Sequence, residues 1–536
     1  MNDLAANQPP PLEGYDAYAS DAWLAPAVER AGIGWVAGKA SELGRFVGSA
    51  EGQALATAAN KRTPELRTHD RFGNRIDFVE YDPSYHALMS RAIGAGVHSL
   101  AWKRQDGGFC ARAVLFYLWN QLEQGTACPV TMTFASIPVM EHAPAVKQEW
   151  RAKVLADAYD PRPLPVAQKP GATIGMAMTE KQGGSDLRAV QSTAEKTSDG
   201  WRITGHKWFC SAPMSDGFFT LAKLPEGVTC FFVPRSLPDG TRNALRIQRL
   251  KDKVGNRSNA SSEIEYERTF AHLVGEPGRG IATLIEMAHH TRFDIVVGIA
   301  GMMRIALRQA IHHARHRAAF GKALASHPLM ANVLADLSIE AEAAMRLAFR
   351  LARAFDASAK DERERELQRI LTPIAKYWVC KRMTPVAVEA MECLGGNGYV
   401  EEHPLARLYR EAPLNGIWEG SANVICLDVL RAMARSPRAL EALRDEIARA
   451  GDPRIDACMA SSLPLVSDPA ASEAQARTLV ETLATCMQAS LMARESSPDA
   501  AGAFIASRVQ ASGCGVRAFG TLAAGTQFGA IVDRAA

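Results

Sequence analysis

The chain has 536 residues, of which 47% are hydrophobic and 22% charged, with a formal net charge of +3 and a mean hydropathy of −0.11. That length exceeds what one hydrophobic core supports and predicts two to four domains. The near-neutral charge gives no compositional case for a nucleic-acid partner, and no apolar run approaches the roughly 18 residues of a membrane span.

The start, Met1-Asn2-Asp3-Leu4, lacks the basic and apolar regions of a signal peptide. The ten cysteines show no CxxC pair and no zinc spacing, so they read as reduced core residues and favour the cytoplasm. Up to about residue 170 the pattern is helical: segments such as Ala111 to Gln124 and Ala145 to Tyr159 repeat apolar residues every three or four positions. Pro161, Pro163, Pro165 and Pro170 then mark a boundary.

From about Ala172 to Gly280, short β-prone runs (Gly200 to Thr204, Phe218 to Ala222, Val228 to Pro234, Glu263 to Tyr266) alternate with turn residues. They predict a compact antiparallel β domain. The polar stretch Lys251 to Ser262 reads as a long loop or strand with functional contacts. The apolar run Ile295 to Met303, which ends at Arg304, reads as part of a buried helix.

Long helices are expected over Ile281 to Arg317, Pro328 to Asp356, Glu362 to Leu394 and Ser421 to Arg435, enough for a bundle. An Ala-rich helical tail follows, broken near Pro453, Pro464, Pro469 and Pro498. The predicted domains are 1–171, 172–280, 281–439 and 440–536, in an α+β, mainly α, architecture rather than an alternating βαβ one.

Two phrases carry chemistry. Gly416-Ile417-Trp418-Glu419-Gly420-Ser421-Ala422-Asn423 sets one carboxylate beside an aromatic ring, at a glycine that lets backbone approach a ligand. Met178-Thr179-Glu180-Lys181-Gln182-Gly183-Gly184-Ser185-Asp186 supplies small residues and hydroxyls suited to the edge of a planar cofactor. With Phe209-Cys210-Ser211 they suggest a flavin site. Taken singly, Thr179 and Ser211 also fit ordinary turn and strand-end hydroxyls.

Those phrases, followed by Arg317-Ala318-Ala319-Phe320-Gly321, Leu394-Gly395-Gly396-Asn397-Gly398-Tyr399 and Trp418-Glu419-Gly420-Ser421, resemble the acyl-CoA dehydrogenase family over about residues 85 to 435. The phrase Lys251-Asp252-Lys253-Val254-Gly255-Asn256-Arg257-Ser258-Asn259-Ala260-Ser261 and the extra terminal segments look like its alkylation-response (AidB-type) subgroup.

The resemblance implies FAD held between subunits. Met178, Thr179 and Ser185 would line the flavin and its neighbouring groups, and Phe209, Cys210 and Ser211 would face the ring. Arg317 would reach the pyrophosphate from a neighbouring subunit, its plain alternative being an exposed helical charge. Gly395 and Gly396 would let backbone approach the adenosine end. Trp418, Gly420, Ser421 and Asn423 would hold the ADP portion and the segment around the base.

Glu419 is the expected base, removing an α-proton from an acyl thioester while a β-hydride goes to the flavin. The family's second base position, directly before a helix arginine, holds Thr291 here. Arg292 would anchor the CoA moiety, or else form a structural ion pair.

Two weaker readings remain. His312 and His316 stand at i,i+4 spacing but lack further ligands, so no metal site is expected. His289 and His290 read as structural or as lining the substrate cleft. The subgroup also implies a homotetramer that binds double-stranded DNA and protects it from alkylation, with vestigial dehydrogenase activity as the alternative to acyl-CoA oxidation.

From Arg431 to Ala536, however, 11 arginines and no lysine face 11 acidic residues, a net charge of 11 − 11 = 0. The denser basic set Arg304, Arg308, Arg315, Arg317, Lys322, Arg346, Arg350 and Arg353 fits either a tetramer groove or a solvated helical face.

Overall fold

A computed structural model describes residues 7–462, 469–510 and 513–536; the Met1–Leu4 start and the expected break at Pro464 lie outside them. The chain folds as two compact units. One gathers Glu51–Gly108 and Leu122–Thr291; the other gathers the described parts of Met1–Ala50, Phe109–Gln121 and Arg292–Ala536.

The first unit carries the sheet. An antiparallel hairpin, β1 (Glu65–His69) and β2 (Arg75–Glu80), precedes it, within a stretch whose sequence pattern is mostly helical. Its turn is set by Asp70, whose carboxylate accepts from the amides of Phe72 and Asn74.

The main sheet has seven strands: β3 (Ile174–Ala177), β4 (Thr193–Thr197), β5 (Gly200–Ser211), β6 (Gly217–Leu224), β7 (Gly227–Pro234), β8 (Leu245–Leu250) and β9 (Ser261–Val274). Their order is β3-β6-β4-β5-β9-β7, with β8 on β9, and a further β6–β7 pairing closes the sheet on itself. Antiparallel pairing dominates as expected, the exceptions being β3–β6 and the single β4–β6 pair Thr193–Lys223. Phe218, Phe219, Phe231 and Phe232 are fully buried in the sheet core.

The loop after β8 is anchored in its second half, while Asp252, Val254 and Arg257 are exposed. Asn256, Ser258 and Asn259 are buried. Ser258 donates to Glu123 Oε1 at 2.7 Å and Asn256 to the Gln124 carbonyl at 3.3 Å. Gly125 is required here, because a Cβ on it would lie 1.8 Å from Ser258 Oγ.

The second unit is helical. It contains Pro328–Ala357, Glu362–Cys393, Ala422–Arg435, Pro437–Ala448, Pro453–Ser462, Ala476–Glu495, Pro498–Arg508 and Phe528–Ala535. The expected long helices start and end within a residue or two of these. Pro328 opens its helix at the first turn, where the missing N–H costs nothing. Asp361 caps the next by accepting from the Arg363 amide at 2.8 Å. Pro373 and Pro385 lie inside that helix and remove the donors that the carbonyls of Arg369 and Lys381 would use.

Gly280–His316 is the one helix among the described residues that is apolar and long enough to cross a membrane. It exceeds the short run visible in the sequence because its apolar residues are interrupted by Arg292, Asp294, Arg304 and Arg308. Its most apolar window is 89% buried, as befits a core helix.

Half of the basic set is internal, while Arg315 and Lys322 are exposed. Arg304 is fully buried against Asp21 at 2.9 Å, Arg346 pairs with Glu342 at 2.8 Å, and Arg350 is clasped by Glu446 and Glu364. Arg308 is buried too, donating to Ser20 Oγ. Neither a solvated face nor a phosphate-lined groove describes these four side chains: the groups that satisfy them lie far away in sequence or one helical turn back.

Candidate active site

In the sheet-bearing unit the 178–186 phrase is bonded to β5, the strand that carries Phe209, Cys210 and Ser211. The Trp208 amide donates to the Thr179 carbonyl at 2.8 Å, and the Lys181 amide to His206 Nε2 at 3.0 Å. Beneath them lies a buried ion pair the motif reading missed. Lys207 Nζ sits 2.7 Å from Glu180 Oε1, both side chains at 0% exposure.

Glu180 also accepts from Ser192 Oγ and from the amides of Gln191 and Ser192. Burial alone would raise its pKa, but the Lys207 ammonium and these donors outweigh that and hold it down at about 2. The ionised carboxylate thus pins the 178–186 loop to β5. Gly184 packs against Thr179, where a Cβ would come within 2.4 Å of the hydroxyl oxygen.

A register shift in β5 between Lys207 and Cys210 breaks the strand's in–out alternation. Lys207 and Cys210 are buried while the intervening Phe209 is 48% exposed. Phe209 and Ser211 therefore present side chains outward, and Cys210 does not. Its thiol is buried, which pushes its pKa up to about 12, and its carbonyl accepts from the Ser262 hydroxyl at 3.1 Å. Lys251 Nζ lies 3.4 Å from the centre of the Trp208 ring and 4.8 Å from that of Phe209. Met178 and Thr179 are half-buried, and Ser185 is exposed.

In the helical unit, Glu419 has a positive φ of 57°, followed by Gly420 at 104°. Such a backbone persists only where its surroundings hold it. Arg292 Nε donates to the Glu419 carbonyl at 2.9 Å, and its Nη2 pairs with Asp428 at 3.0 Å. Lys376, which sequence reasoning missed because no motif marks the middle of its helix, donates to the Gly420 carbonyl. Burial lowers the Lys376 pKa, and the Arg292 guanidinium adds to that effect. A Cβ on Gly420 would meet Ile425 at 3.0 Å and Arg292 at 3.4 Å.

Trp418 donates its indole N–H to Asn415 at 3.1 Å. The alternative base position is a buried Thr291, whose hydroxyl bonds the Ala288 carbonyl. His290 packs on Trp102 and Phe134, a structural setting.

Arg317 precedes a two-residue turn, Phe320 and Gly321, both with positive φ, joining Ala318–Ala319 to Lys322–Ala323. Its guanidinium donates to the Asn7 carbonyl at 2.6 Å, while the Asn7 side chain bonds Ala318 in both directions. Gly395, at φ 59°, and Gly396 have open space where a Cβ would point.

Ser421 caps the helix Ala422–Arg435, and no side-chain bond uses up its hydroxyl at that cap. Asn423 accepts from Arg477 of the C-terminal segment at 2.8 Å, a contact no motif foretold. His312 Nε2 is bonded to the Pro10 carbonyl. A separate cavity of about 250 Å³ in the sheet-bearing unit, lined by Tyr81, Tyr85, His86 and Tyr159 among others, contains none of the motif side chains.

Residues 7–161 match the family profile described as the adaptive response protein AidB N-terminal domain, residues 175–269 the acyl-CoA dehydrogenase middle domain, and residues 278–434 its C-terminal domain. The chain is 48% identical over 431 residues to the putative acyl-CoA dehydrogenase AidB of Escherichia coli K12, covering 80% of each. It is 29% identical to acyl-CoA dehydrogenase family member 11 of Caenorhabditis elegans, over 74% of this chain and 67% of that one. The structure of C. elegans ACDH-11 in complex with C11-CoA shares the fold, with a TM-score of 0.85 at 24% identity over 94% of this chain and 93% of that one.

The cofactor of these enzymes is FAD, and the residues here fit it. In the sheet-bearing unit the half-exposed Thr179 and Ser211 and the outward Phe209 offer donors and a flat apolar surface, suited to a ring. In the helical unit the unused helix start at Ser421 suits phosphates. The chain belongs to the acyl-CoA dehydrogenase family, in its AidB-type branch, and is an FAD-dependent enzyme of that family.

Proposed function

We propose that this enzyme oxidises the Cα–Cβ bond of a short or branched acyl-CoA, with Glu419 removing the α-proton. The observation that carries the reading is the clamp on the base segment: Arg292 and Lys376 hold the carbonyls of Glu419 and Gly420 while Glu419 keeps a positive φ. Two cations spent on backbone oxygens fix where the carboxylate stands, which a proton transfer to a positioned base requires. FAD, when bound, accepts the hydride leaving Cβ. Glu419 takes the α-proton onto its carboxylate, and the C–H electron pair left at Cα closes the double bond.

The cofactor site is completed by a second chain, in a homotetramer. Three apolar side chains in the cofactor segments support this: Phe320 is 96% exposed, Tyr399 81% and Ile417 65%. Exposed apolar groups of this size, on segments otherwise devoted to a ligand, fit a surface that another subunit covers.

Protection of DNA is the alternative, and it draws on the alkylation-response relatives. It gains no phosphate-binding surface from Arg304, Arg308, Arg346 or Arg350, which are internal. Oxidation therefore stands first.

The test is anaerobic bleaching of the bound flavin across acyl-CoA chain lengths. Wild type should bleach, and Glu419→Gln should slow this by about 10²–10⁴-fold with the flavin content unchanged. If no acyl-CoA bleaches the wild-type flavin, the reading fails; a duplex-DNA mobility shift that weakens steeply with salt would then favour the alternative.

A further inference from the structure

Three cysteines far apart in sequence meet in the C-terminal part of the helical unit. Cys458 lies on the helix Pro453–Ser462, Cys486 on Ala476–Glu495, and Cys514 on a two-residue hairpin strand, Gly513–Cys514, paired with Val509–Gln510. Their sulfurs all lie within 4.8 Å of one another, and Cys458 Sγ to Cys514 Sγ is 3.2 Å. Cys458 and Cys486 are buried, and Cys514 is half-buried.

We infer that Cys458, Cys486 and Cys514 form a binding site for a divalent thiophilic cation, with zinc(II) the fitting ion and solvent at Cys514 the fourth position.

The distances suit that ion. Tetrahedral zinc with Zn–S bonds of about 2.3 Å sets its sulfurs roughly 3.8 Å apart, within the 3.2 to 4.8 Å spread found here. Charge selects the valence. Apart from one another, the described bonding partners of the sulfurs are the carbonyls of Ile455 and Thr482, the Gln510 backbone and the hydroxyl of Thr485, with no lysine or arginine among them.

Three bare thiolates in that setting would be an uncompensated buried −3, which the interior does not tolerate. A divalent ion reduces it to −1, whereas a monovalent ion leaves −2. Metal entry displaces the thiol protons to solvent while three sulfur–metal bonds form, and no redox step is needed.

The Thr485 hydroxyl provides a second, independent sign. It is 1% exposed and finds no oxygen or nitrogen partner, yet it lies where it can donate to Cys514. A metal-bound thiolate accepts such a bond well, and outer-sphere donors of this kind tune thiolate ligands. The ion also gives the hairpin a reason to persist, since two paired residues per strand are far too few to be stable alone. Sulfur from three elements on one cation would staple that hairpin to both helices.

The experiment uses the full-length protein. Purified from zinc-supplemented growth and dialysed, it should retain about one zinc per chain. Exchange with cobalt(II) should give thiolate-to-cobalt charge-transfer bands and the intense visible bands of a tetrahedral site; Cys486→Ser should lose both.

A second measurement covers a variant that fails to fold. Alkylation of the wild type followed by peptide mapping should show Cys458, Cys486 and Cys514 selectively protected by added zinc(II). Three equally reactive thiols with and without zinc, and no cobalt spectrum, would overturn the site. A mass lower by two hydrogens, mapped to a Cys458–Cys514 disulfide that zinc does not prevent, would overturn it as well.

Discussion

Arg292 shows how a single guanidinium can serve two ends of one loop. Its Nε holds the Glu419 carbonyl and its Nη2 is tied to Asp428, so the fork reads geometry that an ammonium cannot reproduce. Arg292→Lys should therefore lower kcat by about 10²-fold through misplacement of the carboxylate, with a smaller change in KM; steady-state kinetics on a bleaching substrate separate the two. A role in CoA binding alone would move KM instead.

Glu180 makes a different prediction. Its folded pKa, about 2, lies below the ordinary glutamate value of 4.5. The ionised form is thus favoured in the native state, and its contribution to stability is fully present above pH 4.5. That contribution, on the order of 3 kcal/mol, is lost as pH falls from 4.5 toward 2. Denaturant midpoints measured between pH 6 and pH 3 should fall more steeply in wild type than in Glu180→Gln, which starts lower and lacks this component.

At the scale of elements, the bulge in β5 and the loop before it work as one piece. Gly184→Ala would drive a methyl into the Thr179 hydroxyl, 2.4 Å away. It should reduce the flavin-to-protein ratio while leaving the circular dichroism unchanged; a normal ratio would remove Thr179 from the cofactor's surroundings.

The longest helices were legible because their apolar periodicity runs for 30 residues or more, and Pro328 and Asp361 mark where two of them start. The hairpin β1–β2 was not. Its alternation spans only five or six residues on each side, set within a mostly helical stretch, and the local Asp70 turn is the one short signal that marks it.

The motif phrases single out Glu419 and Thr179 from sequence alone. They could not show that Cys210 points inward, since that depends on a one-residue register shift. Nor could they show Lys376 or Asn7, which reach the site segments from 44 and about 310 residues away. The cysteine cluster was invisible for the same reason: its members stand 28 residues apart at each step (486 − 458 and 514 − 486), and no short spacing betrays a fold-built site.

For the molecule as a whole, buried ion pairs bind distant segments of the helical unit. Arg350 meets Glu446 at 2.9 Å and Glu364 at 2.7 Å, and Arg494 adds a second cation to Glu446. Arg350→Ala leaves Glu446 buried with one partner fewer and should cost about 3–5 kcal/mol, read as a lower urea midpoint. DNA retention, if any is seen for the wild type, should not change in proportion.

The pair Arg304–Asp21 has a reach of another kind, because the Arg304 guanidinium also donates to the Ala535 carbonyl. One buried side chain thus waits on both the twenty-first residue and the last helix. At a synthesis rate of about 5–20 residues per second, the roughly 500 residues between them take about half a minute to two minutes to emerge. Asp21 lacks its cation for the first 283 residues of that stretch, and Arg304 lacks its second acceptor until the end. Until residue 535 has emerged, the nascent chain carries this buried cation with one acceptor missing, so shielding during synthesis bears on how much of it reaches the native state.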